Sequence, residues 1–148
     1  MLGARETPGS RARQGLRIWQ PQPGLVRSEL HGHLSAELAD ELIAQLEQAL
    51  TSAPIHHIFH NWWGMTGYDA AARTKLTQWS LERRSRLASV HILLQVNSRL
   101  LAMAIAASNL ILGGLLQIHE RPMSFEAALA EVRGGSEPPR SGVRPKMR

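Results

Sequence analysis

Residues 57–79 read HIFHNWWGMTGYDAAARTKLTQW, and the fold turns on where strand gives way to helix inside this stretch. "IHHIFH" at 55–60 reads as a short strand. In an extended chain Ile58 and Phe59 point to opposite faces, His56 and His60 share one face, and His57 lies on the other. The glycine-bearing "NWWGMTGY" at 61–68 reads as a loop, and Ala72, Leu76 and Trp79 give the buried stripe of a helix from Ala70 to about Arg86. Asp69 stands at the junction. It is placed to accept hydrogen bonds from the first free amides of that helix, and its charge complements the helix's positive end. Ala70, Ala71 and Ala72 leave it no polar neighbour on the first turn, so it reads as a cap and not as a nucleophile or general acid.

Upstream, "LRIW" at 16–19 and "GLVRSELHGHL" at 24–34 are strand-like, and "QPQPG" between them turns the chain into a hairpin. Ser35 then offers a capping oxygen to an amphipathic helix in which Leu38, Leu42, Leu46 and Leu50 recur every four residues. That helix ends near Ser52-Ala53-Pro54. Downstream, "ASVHILLQV" at 88–96 has the dense apolar run of a strand covered on both faces. Ser98 caps a third helix, "RLLAMAIAASNLI", which Gly113-Gly114 stop before a last strand, "LLQIH". Ser124 caps a short final helix that Gly134 ends. The order is ββαβαβαβα, which predicts an α/β fold with a mixed sheet and helices packed against it.

One domain suits a chain of 148 residues. The formal charge of +5 sits in the ends. Residues 1–15 carry Arg5, Arg11 and Arg13 against Glu6, and residues 134–148 carry Arg140, Arg144, Lys146 and Arg148 against Glu137. Both segments have the composition of disordered basic tails, leaving a body at 16–133 with ten basic and ten acidic residues. Such a balanced body has no field to steer a polyanion, so specific nucleic-acid binding is not expected. The absence of cysteine excludes disulfides and thiolate chemistry. The first fifteen residues lack the apolar core of a signal peptide, which predicts a cytoplasmic protein. Ser108-Asn109 and Gly113-Gly114 interrupt the apolar run at 100–118, which is therefore not expected to span a membrane.

The element order, "HIFHNWWGMTGYDAAARTKLTQW" and the later "SVHILLQVNSRLLAMAIAASNLI" at 89–111 together resemble the STAS domain. That is the fold of bacterial anti-sigma-factor antagonists and of related modules in stressosomes and transporter tails. The likeness covers about residues 16–133. In the antagonists a strand leads through a loop to an Asp-Ser at a helix start, and a partner kinase phosphorylates the serine to switch binding. Here Asp69 falls on the family's aspartate and Ala70 on the phosphoserine position. Alanine has no hydroxyl, so the resemblance implies a module without phosphoregulation at the usual place. Thr66, in the loop, and Thr74, a full turn into the helix, do not stand in for it.

Of seven histidines, five lie in "HGH" (His31, His33) and "IHHIFH" (His56, His57, His60). No recognised ligand spacing accompanies them and strand alternation separates His57 from its neighbours, so neither a metal nor a cofactor is expected. No catalytic constellation is expected either. The exposed aromatics of 61–68 and the third helix, apolar nearly all round, suit instead a non-enzymatic interaction module that docks a protein partner or a second copy of itself. The residues expected to carry that contact are Asn61, Trp62, Trp63, Tyr68, Asp69, Arg73, Leu100 and Met103. The alternative is a small-ligand or anion-binding domain using the loop 61–68 and the helix start at Ala70.

Overall fold

The computed structural model describes residues 11–13, 15–95 and 99–135, with side chains for 15–95 and 102–134. Six strands form one sheet in the order β1 to β6: Arg11–Arg13, Leu16–Gln22, Leu25–Leu34, His56–Tyr68, Leu87–Leu93 and Leu116–His119. The first three pair antiparallel and the last four parallel, so the sheet is mixed. The helices are α1 (Ala36–Ala49), α2 (Ala70–Glu82), α3 (Arg99–Ile111) and α4 (Pro122–Gly135). The α/β class and the alternation of strands and helices are as expected. One strand is additional. β1 lies inside the stretch read as a disordered tail, pairing Arg11 to Arg13 with Ile18 to Leu16. Residues 1–10, 14 and 136–148 of the two expected tails lie outside the described residues, as does Ser98, the expected cap of α3, while residues 134–135 continue α4.

Three successive parallel crossovers place α1, α2 and α3 on one face of the sheet, as right-handed connections require. There Leu38, Leu42 and Leu46 of α1, Ala72 and Trp79 of α2, Ile105 of α3 and Leu112 just past its end pack with Ile58, Val90 and Ile92. A smaller cluster on the opposite face joins Leu25, Phe59 and Leu93 to Phe125 and Leu129 of α4. β5 is buried on both faces, as its apolar run predicted.

The helix ends follow from particular side chains. Ser35 Oγ accepts the Leu38 amide at 3.0 Å, the expected cap of α1. Gly113 and Gly114, both with positive φ, end α3, and the Gly114 amide donates back to the Asn109 carbonyl at 3.0 Å. α4 begins two residues before Ser124, at Pro122, whose fixed φ suits a first helical position. α1 has no basic residue in its last turn. Arg86 supplies the missing charge from beyond α2: its guanidinium donates to the carbonyls of Leu50, Ala53 and Pro54. Arg83 Nε and Trp79 Nε1 both donate to Glu47 Oε2, and Arg84 Nε donates to the Leu112 carbonyl. The arginines at 83, 84 and 86 thus tie neighbouring elements together.

Candidate functional site

The segment 61–68 is not a loop. β4 runs unbroken from His56 to Tyr68, and beyond Asn61 its only strand partner among the described residues is β3. Two glycines explain the extension. A side chain at Gly64 would meet the His31 ring at 2.4 Å, and one at Gly67 would meet the His33 ring at 3.1 Å. "HGH" on β3 and "GMTG" on β4 are therefore complementary: each imidazole lies over a residue that has no Cβ.

Being on a strand scatters the residues expected to act together. Trp62 is buried on the helix-covered face, its ring stacked 5.0 Å from His60. Trp63 is 37 % exposed, and its carbonyl accepts from Gln95 Nε2 at 2.7 Å. Asn61 is half-buried and accepts the Trp63 amide at 3.1 Å. Tyr68 and Arg73 join Trp62 around a cavity between the sheet, α2 and α3. Met103 is exposed on α3, whereas the Leu100 side chain lies outside the described residues. Sequence reasoning did not anticipate the cavity, because its walls come from strands and helices far apart in the chain.

Asp69 occupies the N-cap position of α2 but makes no side-chain hydrogen bond to that helix. Its carboxylate reaches the other way. Oδ2 accepts the amide of Ala36, the first residue of α1, at 3.1 Å, and Oδ1 is 2.8 Å from His33 Nε2. The expected cap therefore serves a different helix. It binds the β3–α1 junction to the β4–α2 junction, and the Asp69 amide adds a bond to the Leu34 carbonyl at 2.9 Å. The hydrogen bond from His33, then that from Ala36, hold the carboxyl below its ordinary value. Asp69→Ala is expected to lower the thermal midpoint by a few degrees while the far-ultraviolet spectrum stays native. An unchanged midpoint, measured by circular dichroism, would contradict this structural role.

The histidines are engaged one by one. His60 Nδ1 lies 2.6 Å from Ser28 Oγ, His57 Nδ1 2.7 Å from Ser89 Oγ, and His91 Nδ1 2.9 Å from His119 Nε2. His56 Nε2 donates to the Ala49 carbonyl at 3.1 Å. Among the described residues no three metal-ligating side chains converge, and no helix is long and apolar enough to cross a membrane.

No protein-family model matches the sequence, and no curated protein matches it. Solved structures do. An uncharacterised protein of the DUF3478 family from Shewanella loihica PV-4, described as having a SpoIIAA-like fold, superposes with a TM-score of 0.59 at 19 % identity, covering 81 % of this chain and 98 % of its own. The anti-sigma-factor antagonist SpoIIAA in its unphosphorylated form superposes with a TM-score of 0.55 at 15 % identity, covering 80 % and 98 %. The fold is SpoIIAA-like. At these identities the likeness concerns the STAS-like architecture and not the chemistry of single residues. Within the SpoIIAA-like frame, the strand-to-helix junction before α2 is where Asp69 forms its bonds to His33 and Ala36.

Proposed function

We propose that this chain is a non-enzymatic, STAS-like protein-interaction module of the cytoplasm that docks through α3. The observation supporting this is a stripe on α3 formed by Met103, Ala106, Ala107, Leu110 and Ile111, all exposed. Met103 is 60 % exposed, Leu110 85 % and Ile111 60 %, in a helix whose other side already supplies Ile105 to the core. Residues 100–119 contain no Asp, Glu, Lys or Arg, so nothing charged divides the stripe. An apolar band with small residues at its middle suits close approach of another helix, either a protein partner or a second copy. A specific contact of this kind covers about 800 Å² per side.

A charge at the centre of the stripe tests the reading. Met103→Glu or Leu110→Glu is expected to abolish association, seen by light scattering, while circular dichroism and thermal midpoint remain those of the parent. A parent monomeric at high concentration, and retaining no partner on affinity capture, would sink the proposal. So would variants that unfold.

The same reading holds that partner binding is not switched by phosphate at the start of α2, because Ala70 lies at the first position of that helix and has no hydroxyl. Mass spectrometry of the protein from its native cells is expected to find no phosphate on residues 66–74. Phosphate on Thr66 or Thr74 would show a displaced switch.

A further inference from the structure

Between the sheet and the pair α2 and α3 lies a cavity of about 70 Å³. An apolar cavity that takes benzene measures ~150 Å³ and one water needs ~10–15 Å³, so the space takes a molecule of a few heavy atoms, of roughly acetate or propionate size. Its walls are mostly apolar, with Ile58, Val90, Ile92, Leu76, Ile105 and Leu112 among them. Two polar features stand out against those walls. Trp62 is 6 % exposed, and its Nε1 donor has no hydrogen-bond partner among the described residues. A buried N–H without an acceptor is costly, and native proteins rarely leave one. Arg73 also lines the cavity, and among the described residues it is the one Asp, Glu, Lys or Arg in the lining.

The polar groups that line the cavity nearby do not answer these donors. His60 is bonded to Ser28, and burial pushes its pKa down to about 3, so it adds no charge at neutral pH. Thr77 Oγ1 donates to Ser108 Oγ at 3.0 Å. An unpaired indole N–H, a guanidinium and apolar walls together suit a negatively charged acceptor on an apolar body.

We propose that this cavity binds a small organic carboxylate, its apolar body against the sheet and its carboxylate serving Trp62 Nε1–H and Arg73. Trp62 and Arg73 belonged to the surface expected from the sequence. Here they form a small-molecule site beneath the proposed docking helix, and α3 is common to both.

Calorimetric titration of the full chain at neutral pH with propionate, acetate and 1-propanol tests the assignment. Propionate and acetate are expected to bind, with 1-propanol about ten-fold weaker or more because it carries no charge for Arg73. Arg73→Gln is expected to bring propionate down to the level of 1-propanol, while Trp62→Phe keeps the apolar wall and weakens propionate about ten-fold. No carboxylate binding up to millimolar concentration would overturn the proposal, as would binding that Arg73→Gln leaves unchanged. If Trp62→Phe fails to fold by circular dichroism, the comparison of propionate with 1-propanol in the parent and in Arg73→Gln decides alone. Leu110→Glu should not alter propionate binding, so failure of the docking proposal and failure of this one are separable.

Discussion

Between pH 7 and pH 4 the protein is expected to lose stability steeply and to unfold at the acid end. The cause is a set of imidazoles held neutral. Burial pushes the pKa of His60 to about 3 and that of His91 to about 4, and it lowers those of His56, His57 and His119 as well. The ordinary value is 6.5, so below it the unfolded chain takes up protons that the native state refuses. Stability is complete above 6.5 and declines as pH falls toward the folded values, by about 1.4 kcal/mol per pH unit for each of the two most strongly shifted, His60 and His91. His60 and His91 alone make the slope about twice that in the window from 6 to 4. The geometry supports the sign. His60 lies between Ser28 and the Trp62 ring, and His91 is stacked on Phe59 at 4.3 Å with His57 and His119 as its nearest charge-bearing neighbours. Urea midpoints collected from pH 7 to 4 measure the slope, and a flat profile over that range would refute the account. His91→Gln should remove about half of the slope contributed by that pair.

Much of this architecture was legible because it depends on local chemistry. The hairpin, the Ser35 cap, the four-residue leucine spacing of α1 and the glycine stop of α3 each rest on residues close in sequence. The failures share the opposite property. "NWWGMTGY" has the aromatics and glycines of a loop, and its strand character depends on His31 and His33 some thirty residues earlier, whose rings need Gly64 and Gly67 beneath them. Asp69 reads as the side-chain cap of α2, but the amide its carboxylate accepts belongs to Ala36 of α1. β1 is three residues whose pairing with β2 outweighs a polar composition. Of the expected contact surface, the extended β4 moved Trp62 into the interior, and the apolar excess of α3 reached the surface at Met103, Leu110 and Ile111. Periodicity signals an excess of apolar residues well. It says little about cavities, which need the relative placement of several elements.

α4 is the element whose attachment is most open to a single substitution, and Phe125→Ala is expected to release it from a sheet that stays folded. Phe125 is fully buried, edge-on to Phe59 at 5.5 Å and to His119 at 5.7 Å. Besides Phe125, α4 is held by Leu129, by partly buried Ala128 and Val132, and by an ion pair of Glu126 with Arg27 at 3.8 Å. A polar chain adds to this: Ser124 Oγ donates to the Arg121 carbonyl and so accepts from His119 Nδ1–H, leaving His119 Nε2 to accept from His91 Nδ1–H. Truncating a buried phenylalanine costs about 3–5 kcal/mol. The larger core, with α1, α2 and α3, lies on the other face of the sheet and shares no residue with the α4 cluster, so the loss falls on docking and not on the body. Amide exchange within 122–135 should accelerate roughly a hundred-fold or more while β5 keeps its protection. His91, uncovered by the same change, should titrate nearer its ordinary value, and the acid slope argued above should become shallower. Equal acceleration in α4 and β5 would mean that the two clusters fold as one unit, and the separate attachment of α4 would have to be abandoned.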